Sequence, residues 1–306
     1  MYGKTWMVGV IFLIAGLTAC GVGAPRVKMD AESRDFYETA GLIMTGVEKD
    51  IFRHLPDSAS RREFIEDFWR KRDPDPETEA NEYRDDFFQR IDYANQHFDQ
   101  GTPGWKTDRG RIYIYFGPPD RIERRPMLNN PNIKGYQIWI YYRFNFGVEF
   151  LDRRGDGTYT MDPYSGVIGS FQDALERAQL GLGYSEGMEQ ARFVDFDIEY
   201  DSGQRAFIVT LPTKPLTFGV DARDESLLLA DMSFEFFIYP REGETAKLEL
   251  NQTRSFSMPE DELVKTKQLT FSLPFELSEG RYYIDALIVV RPELTKTRKI
   301  FNIRVR

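Results

Sequence analysis

Cysteine and histidine are nearly missing from this sequence of 306 residues, which contains one cysteine, Cys20, and two histidines, His54 and His97. A single cysteine cannot close a disulfide within the chain, so the fold must depend on its hydrophobic cores. Zinc and copper sites draw their ligands from clusters of histidine and cysteine, which these three residues do not supply. We therefore expect no metal site and no cofactor.

Positive charge is also in short supply. The chain has 40 lysines and arginines against 49 acidic residues, a formal net charge of −9, and no block of basic residues. Because contacts to phosphate dominate nucleic-acid binding, the composition argues against a nucleic-acid partner. Hydrophobic residues make up 41% of the chain, with 24 phenylalanines and 16 tyrosines, enough for two globular cores. The length predicts roughly two domains.

No apolar run in the sequence is long enough to cross a membrane. The run from Trp6 to Leu17 has 12 residues, too few for the ~20 that a helix needs to span a bilayer. It follows one basic residue, Lys4, and precedes small residues, which is the pattern of a signal peptide. We predict a signal peptide over residues 1–19.

The tetrapeptide Leu17-Thr18-Ala19-Cys20 resembles the lipobox of bacterial lipoproteins. The resemblance implies cleavage before Cys20, whose thiol then carries a diacylglycerol with fatty acids such as palmitate. Two or three acyl chains hold a protein firmly at a membrane. We expect lipidation at Cys20, a tether over residues 20–29, and a protein of the cell envelope, anchored in the outer membrane on its periplasmic or surface side. The alternative is an ordinary secretory signal with an incidental cysteine.

Apolar spacing predicts three helices after the tether. Apolar residues recur at intervals of three and four positions, which places them on one face of a helix. They are Phe36, Ala40, Ile43, Val47 and Ile51. A second helix is predicted from Ser60, where Glu63 completes a Ser-x-x-Glu capping box, to Pro74. Asp75-Pro76 favours the start of a third helix that ends before Gly101.

The periodicity changes after Gly104 from helical to alternating. Arg111–Phe116, Gln137–Tyr142 and Gly147–Leu151 each predict a strand, and Asp152–Gly157 predicts a hairpin loop. Helices followed by strands, without a regular βαβ alternation, favour an α+β domain in which three helices precede an antiparallel sheet. We assign it to residues 30–165.

Short strands dominate the rest of the chain. We assign residues 166–190 to a helix and linker, with the helix at about 170–180, and residues 191–306 to an all-β immunoglobulin-like sandwich. Tyr282 follows a glycine at a strand start, as in the tyrosine corner of such domains. The seven predicted strands are Phe193–Tyr200, Arg205–Leu211, Leu229–Tyr239, Lys247–Leu250, Gln268–Leu273, Arg281–Val290 and Lys299–Val305.

The segment Gly104-Trp105-Lys106-Thr107-Asp108-Arg109-Gly110, continued by Phe116–Asp120, resembles the signature of the GWxTD domain family of bacterial envelope proteins. Phe64–Trp69 and Arg72-Asp73-Pro74 add to the resemblance, which covers residues 30–165. It implies an envelope protein but no reaction, because the family is defined by sequence.

Two interpretations of this motif remain open. In the first, Trp105 packs between helices, Thr107 and Asp108 cap a turn, and Arg109 pairs with a helix carboxylate such as Glu82. In the second, the motif is the floor of a recognition groove, since polar and aromatic groups often converge at binding sites. The motif residues proposed for binding are Gly104, Trp105, Thr107, Asp108, Arg109, Gly110, Gly117, Pro118, Pro119 and Asp120.

Signals for catalysis are weak. Gly183–Gly187 fits the G-x-S-x-G pattern, but a serine triad of that type needs a later histidine, and both histidines lie upstream. The sequence favours a non-enzymatic, lipid-anchored envelope protein that acts as a protein interaction or assembly module. The alternative is an envelope hydrolase or glycan-binding module that uses the Asp108 and Asp120 carboxylates and nearby aromatic rings. The aromatic residues in question are Trp105, Trp139, Tyr113, Tyr115 and Tyr141.

Overall fold

The computed structural model of the protein describes residues 29–76, 78–125, 131–162, 167–169, 171–182, 194–222, 224–242 and 247–306. Cys20 and its lipobox lie outside these ranges, as does the Gly183–Gly187 segment. We call residues 29–182 the N-terminal part and residues 194–306 the C-terminal part. Within the described ranges, no helix has the length and hydropathy that crossing a membrane requires.

The N-terminal part has five α-helices before its sheet, so the prediction of three helices is wrong. The helices are α1 (Ala31–Ala40), α2 (Gly46–His54), α3 (Ser58–Arg70), α4 (Glu82–His97) and α5 (Asp108–Phe116), with a 3₁₀ turn at Gly104–Lys106. After the sheet comes α6 (Phe171–Leu180), close to the predicted helix. A short α7 (Glu260–Leu263) lies in the C-terminal part.

The first predicted helix is in fact two. Thr45 begins α2 as its N-cap: its hydroxyl accepts from Glu48 N at 3.1 Å, while the Glu48 carboxylate accepts from Thr45 N at 2.9 Å. This reciprocal capping box fixes a new helix start, which apolar spacing alone does not show. The other two helices begin elsewhere than predicted, α3 after Asp57 and α4 after Asn81, each capped by that residue's side chain.

Arg111–Phe116, predicted as a strand, is helix α5. Ile112, Ile114 and Phe116 are buried, and Tyr113 and Tyr115 between them are half-buried. The helix is therefore covered on several sides, which removes the one-sided periodicity that identifies a surface helix.

An antiparallel sheet completes the N-terminal part. Its strands are β1 (Arg121–Arg125), β2 (Gly135–Tyr141), β3 (Phe146–Asp152), β4 (Tyr159–Met161) and β5 (Val167–Gly169), in the order β1-β2-β3-β4 with β5 also beside β3. The two strands predicted in this region, now β2 and β3, are confirmed within two residues. The predicted loop at Asp152–Gly157 joins β3 to β4, and Asp152 holds it by accepting from three backbone N–H groups.

The C-terminal part consists of two antiparallel sheets. The strands are β6 (Asp197–Asp201), β7 (Ala206–Pro212), β8 (Gly219–Val220), β9 (Leu227–Pro240), β10 (Leu248–Pro259), β11 (Gln268–Pro274), β12 (Gly280–Arg291) and β13 (Thr295–Val305). One sheet has the order β10-β9-β12-β13, with β8 also beside β9, and the other has the order β11-β7-β6. Buried side chains of both sheets, among them Phe207 and Phe236, share one hydrophobic cluster.

The two parts meet on the outer face of the larger sheet of the C-terminal part. Phe237, Tyr239 and Tyr283 point away from that part's own core and belong with the hydrophobic cluster of the N-terminal part. Helices α2 and α3 therefore pack on strands β9 and β12, and the Phe64 ring lies 6.1 Å from that of Tyr239.

Candidate functional site

The Gly-Trp-Lys-Thr-Asp segment is a helix entry. Gly104–Lys106 form a single 3₁₀ turn, and Thr107 is the N-cap of α5. The Thr107 hydroxyl accepts from Gly110 N at 3.1 Å and donates to Gly104 O at 2.7 Å, so one side chain joins the turn to the helix.

Two glycines of the motif, Gly104 and Gly110, lie where no side chain fits. A Cβ atom on Gly104 would stand 1.8 Å from Ala94 O of α4, and one on Gly110 would stand 1.9 Å from Gly104 O. The missing side chains thus let the 3₁₀ turn approach α4 and let α5 approach the turn. Trp105 is half-buried, and its backbone N–H donates to Asn95 Oδ1 of α4 at 3.3 Å.

Asp108 and Arg109 connect α5 to the sheet. The Asp108 carboxylate accepts from Met161 N of β4 at 2.9 Å, and the Arg109 guanidinium donates to Gly157 O at 3.2 Å. The guanidinium also lies 4.6 Å from the centre of the Tyr159 ring. The predicted pair of Arg109 with Glu82 is replaced by these contacts.

The Gly117–Asp120 segment ends α5 and leads into β1. Gly117 ends the helix with φ of 75° and ψ of −160°, a conformation that glycine adopts readily because it has no Cβ, and its N–H donates to Tyr113 O at 2.7 Å. Pro118 is exposed and Pro119 half-buried. The Asp120 carboxylate accepts from Tyr142 N at 2.7 Å, at the start of the turn between β2 and β3.

The motif therefore holds α5, the 3₁₀ turn and the sheet together through side chains that bond to backbone groups, those of Thr107, Asp108, Arg109 and Asp120. The turn is joined to α4 by the close approach at Gly104 and by the bond from Trp105 N to Asn95. Trp139 and Tyr141, proposed above as stacking faces for a glycan, are each 2% exposed and lie in the core, so that proposal is wrong for these two. Binding by the remaining motif residues stays a prediction.

A second polar site, which the sequence did not reveal, lies between the two parts. Five charged side chains meet there, each at most 1% exposed. Lys71 Nζ of the segment after α3 lies 2.6 Å from Asp285 Oδ2 of β12. Arg298 of β13 bonds both oxygens of Asp285 at 2.7 Å and Glu48 Oε1 of α2 at 2.6 Å. Arg72 NH2 bonds both Glu48 oxygens at 2.9 Å. We call these five residues the junction network.

The charges of the junction network depend on one another. Burial opposes ionisation of Asp285, but Arg298 and Lys71 outweigh it and hold the pKa of Asp285 well below its ordinary value. Burial likewise opposes ionisation of Glu48, and Arg72 and Arg298 lower its pKa. In Lys71 burial prevails and lowers the pKa below 10.5, despite the attraction of Asp285. Three cations thus face two carboxylates in a site closed to water.

Aromatic rings enclose the network. Lys71 Nζ lies 4.5 Å from the centre of the Phe237 ring and 5.5 Å from that of Phe64, distances at which a cation is attracted to a ring face. The signal for this site was present in the sequence, since Asp285 interrupts the apolar strand Ile284–Val290. An isolated carboxylate on a buried strand requires a cationic partner, but no spacing rule identifies a partner 214 positions away in the sequence.

Next to the network, three carboxylates surround one lysine. Oxygens of Glu63, Asp67 and Glu249 lie within 4.8 Å of one another, a grouping that can hold a metal ion. Here the Lys247 ammonium occupies the centre, 2.9 Å from Glu63, 2.6 Å from Glu249 and also bonded to Asp67. The side chains of α3 and β10 are thereby joined by a further ionic contact across the two parts.

Fold and site together define the class: a two-part protein in which a mixed α+β unit rests on the outer face of the larger of two antiparallel sheets, joined to it by buried charges. Residues 32–164 match the family model of the GWxTD domain.

The comparisons with other known proteins add little. No curated protein matches the chain. A crystal structure from Francisella tularensis str. tularensis SCHU S4 aligns with 38% of this chain and 94% of its own, at 15% identity and a TM-score of 0.20. That likeness is too low for any inference.

Proposed function

We propose that this chain is a lipid-anchored protein of the bacterial cell envelope that acts, without catalysis, as a protein interaction or assembly module. The observation that carries the proposal is the Leu17-Thr18-Ala19-Cys20 sequence directly after a 12-residue apolar run. Residues 32–164 match the GWxTD domain, and the resemblance to that family, described above, implies an envelope protein. We place the anchor in the outer membrane.

We also propose that the C-terminal part is an immunoglobulin-like sandwich. The strand order supports this: without β8, the first, second and fifth strands form one sheet, and the third, sixth and seventh form the other. That division matches strands A, B, E and C, F, G of the immunoglobulin layout, with β10 in the place of C′. The Tyr282 hydroxyl donates to Ser278 O at 3.0 Å, the backward bond of a tyrosine corner.

The arrangement of the sandwich supports a role in contacts. Its larger sheet uses the outer face to hold the N-terminal part, whereas the outer face of the β11-β7-β6 sheet is open to solvent at Thr270, Ser272 and Glu199. The module can therefore present one sheet to a partner while the other is fixed. The Asp108 and Asp120 carboxylates, candidates for hydrolysis, each accept from a backbone N–H, which favours a structural role for both.

Substitution of Cys20 tests the anchor. In cells, Cys20→Ala is expected to abolish incorporation of labelled palmitate and to move the protein from the membrane fraction to the soluble fraction or leave it unprocessed. The matched control is Thr18→Ala, which keeps the thiol and a small side chain before it. A processed Cys20→Ala protein that remains in the membrane fraction contradicts the anchor.

Purification from solubilised membranes tests the interaction role. Cross-linking in intact cells before extraction in mild detergent is expected to recover the wild-type protein with a defined envelope protein in constant ratio. The Cys20→Ala protein, displaced from the membrane, is expected to recover less of it. Recovery of the wild-type protein alone, in both cross-linked and untreated cells, argues against an assembly module.

A further inference from the structure

Three arginines form a row across one end of the larger sheet of the C-terminal part. Arg281 of β12 lies directly opposite Arg304 of β13 in the strand register. On the other side, Tyr282 pairs with Pro240, and Arg241 N donates to Arg281 O at 2.8 Å, which places Arg241 beside Arg281. Residues opposite one another in antiparallel strands point to the same face. Arg241, Arg281 and Arg304 therefore share one face; we call them the arginine row.

The arginine row is unusual in a chain with net charge −9. Like charges directly opposite each other on a sheet destabilise it, and all three arginines are exposed. Arg281 pairs with Glu242 through Nε at 2.7 Å. Arg304 has no ion-pair partner among the residues that the structure describes, and Arg241 has a weak bond to Asn302 Oδ1 at 3.4 Å. The three arginines of the row thus have a single contact with a carboxylate, that of Arg281 with Glu242.

A depression lies at this row. It has a volume of about 500 Å³ and is lined by three arginines, two glutamates and two apolar residues: Arg281, Arg304, Arg306, Glu242, Glu279, Gly280 and Val305. Arg241 lies on the opposite side of Arg281, where its guanidinium covers the Tyr283 ring at 4.6 Å and so is held in place. The volume lies within the range of small-molecule sites.

We propose that the arginine row binds a phosphate group of a small ligand. Guanidinium groups present paired N–H donors that match the oxygens of a phosphate, and the negative charge of a phosphate offsets the repulsion within the row. A carboxylate is the weaker fit, because Glu242 already supplies one and the row retains two further positive charges. The phosphate can belong to a soluble ester or to a lipid headgroup. This site is independent of the lipid anchor and of any partner protein.

Titration of the full chain in uncharged detergent tests the proposal. The probes are inorganic phosphate, pyrophosphate and dihexanoyl phosphatidylglycerol below its micelle concentration, followed by calorimetry. The wild-type protein is expected to bind at least one of them, and the double variant Arg281→Gln, Arg304→Gln, at the two arginines of the row that line the depression, is expected to bind it about tenfold more weakly or worse, as the loss of two charge-assisted contacts requires. Binding of the lipid alone identifies a headgroup site, and binding of pyrophosphate identifies a soluble ester; either supports the proposal.

The control is the double variant Arg111→Gln, Arg205→Gln, which removes the same charge at exposed positions outside the row. It is expected to change affinity by less than about twofold, because exposed charges far from the site are screened by salt. Equal weakening in both double variants, or no binding of any probe by the wild-type protein, overturns the proposal. Thermal unfolding of both variants verifies that they are folded.

Discussion

Replacing Asp285 with asparagine is expected to lower the free energy of unfolding by about 3–5 kcal/mol, the cost of leaving buried charge without its partner. Asp285 neutralises Lys71 and Arg298 in a site closed to water. Without it, Glu48 alone faces three buried cations. Asparagine and aspartate have nearly the same volume. A loss of stability in Asp285→Asn therefore reflects the missing charge and not altered packing.

Urea unfolding followed by tryptophan fluorescence measures this effect. The matched control is Glu276→Gln, which removes a carboxylate from an exposed pair with Arg205, 2.9 Å apart. It is expected to change stability by less than about 0.5 kcal/mol. If Asp285→Asn stays within that same margin, the junction network does not stabilise the fold.

The pH dependence gives a separate check on Asp285. Because the network lowers its pKa in the folded protein, the stabilisation is fully present above the unfolded pKa of about 3.9 and is lost as the pH falls toward the folded value. The stability difference between wild type and Asp285→Asn should therefore shrink below about pH 4. A difference that is constant from pH 7 to pH 3 points to a cause other than the carboxylate charge.

A methyl group on Gly104 is expected to destabilise the protein by about 3 kcal/mol or more, at the upper end of the cost of overpacking. The added carbon would overlap Ala94 O, a backbone atom in the middle of a helical turn, at 1.8 Å. Relief requires the 3₁₀ turn to move away from α4, which also strains the Thr107 cap. Gly110→Ala is expected to destabilise the protein similarly, because its Cβ would stand 1.9 Å from Gly104 O.

Gly46→Ala is the matched control for both glycine variants. It introduces the same group at the first residue of α2, where no atom lies within 4 Å. Alanine there is expected to be neutral or to stabilise by about 0.5–1 kcal/mol, because it restricts the unfolded chain. Thermal unfolding of the three variants measures the contrast. If Gly104→Ala and Gly46→Ala unfold at the same temperature, the motif glycines are not fixed by packing.

Sequence patterns predicted the strands of this protein better than its helices. Six of the seven strands expected in the C-terminal part start and end within four residues of the observed ones. Strands such as β7 and β11 show a clear alternation of buried and more exposed residues, which is the pattern that predicts a strand. The exception, Lys247–Leu250, is the beginning of a strand that runs on to Pro259. An edge strand such as β10 has half-buried residues along much of its length, so its pattern is weak.

The helices were harder to predict because capping decides where they begin. The Thr45–Glu48 capping box divides one apolar repeat into two helices, and burial on several sides gave α5 the alternation of a strand. The motif segment was identified as a unit, but its structural role depends on distances of close approach that a sequence does not carry. The junction network was missed because it joins two groups of residues that are more than 200 positions apart in the sequence, one in α2 and after α3 and the other in β12 and β13.

We expect the GWxTD segment and the sheets of the C-terminal part to unfold as a single cooperative structure, because the junction network joins them. One comparison tests this most directly. Three tryptophans, Trp69, Trp105 and Trp139, lie in the N-terminal part, and the C-terminal part has none. Fluorescence in urea therefore reports unfolding of the first part, while hydrogen exchange of β7 amides, followed by mass spectrometry, reports the second. We predict that both give the same midpoint. Protected β7 amides at urea concentrations where the tryptophans are fully exposed would show that the two parts unfold separately and would contradict a single cooperative structure.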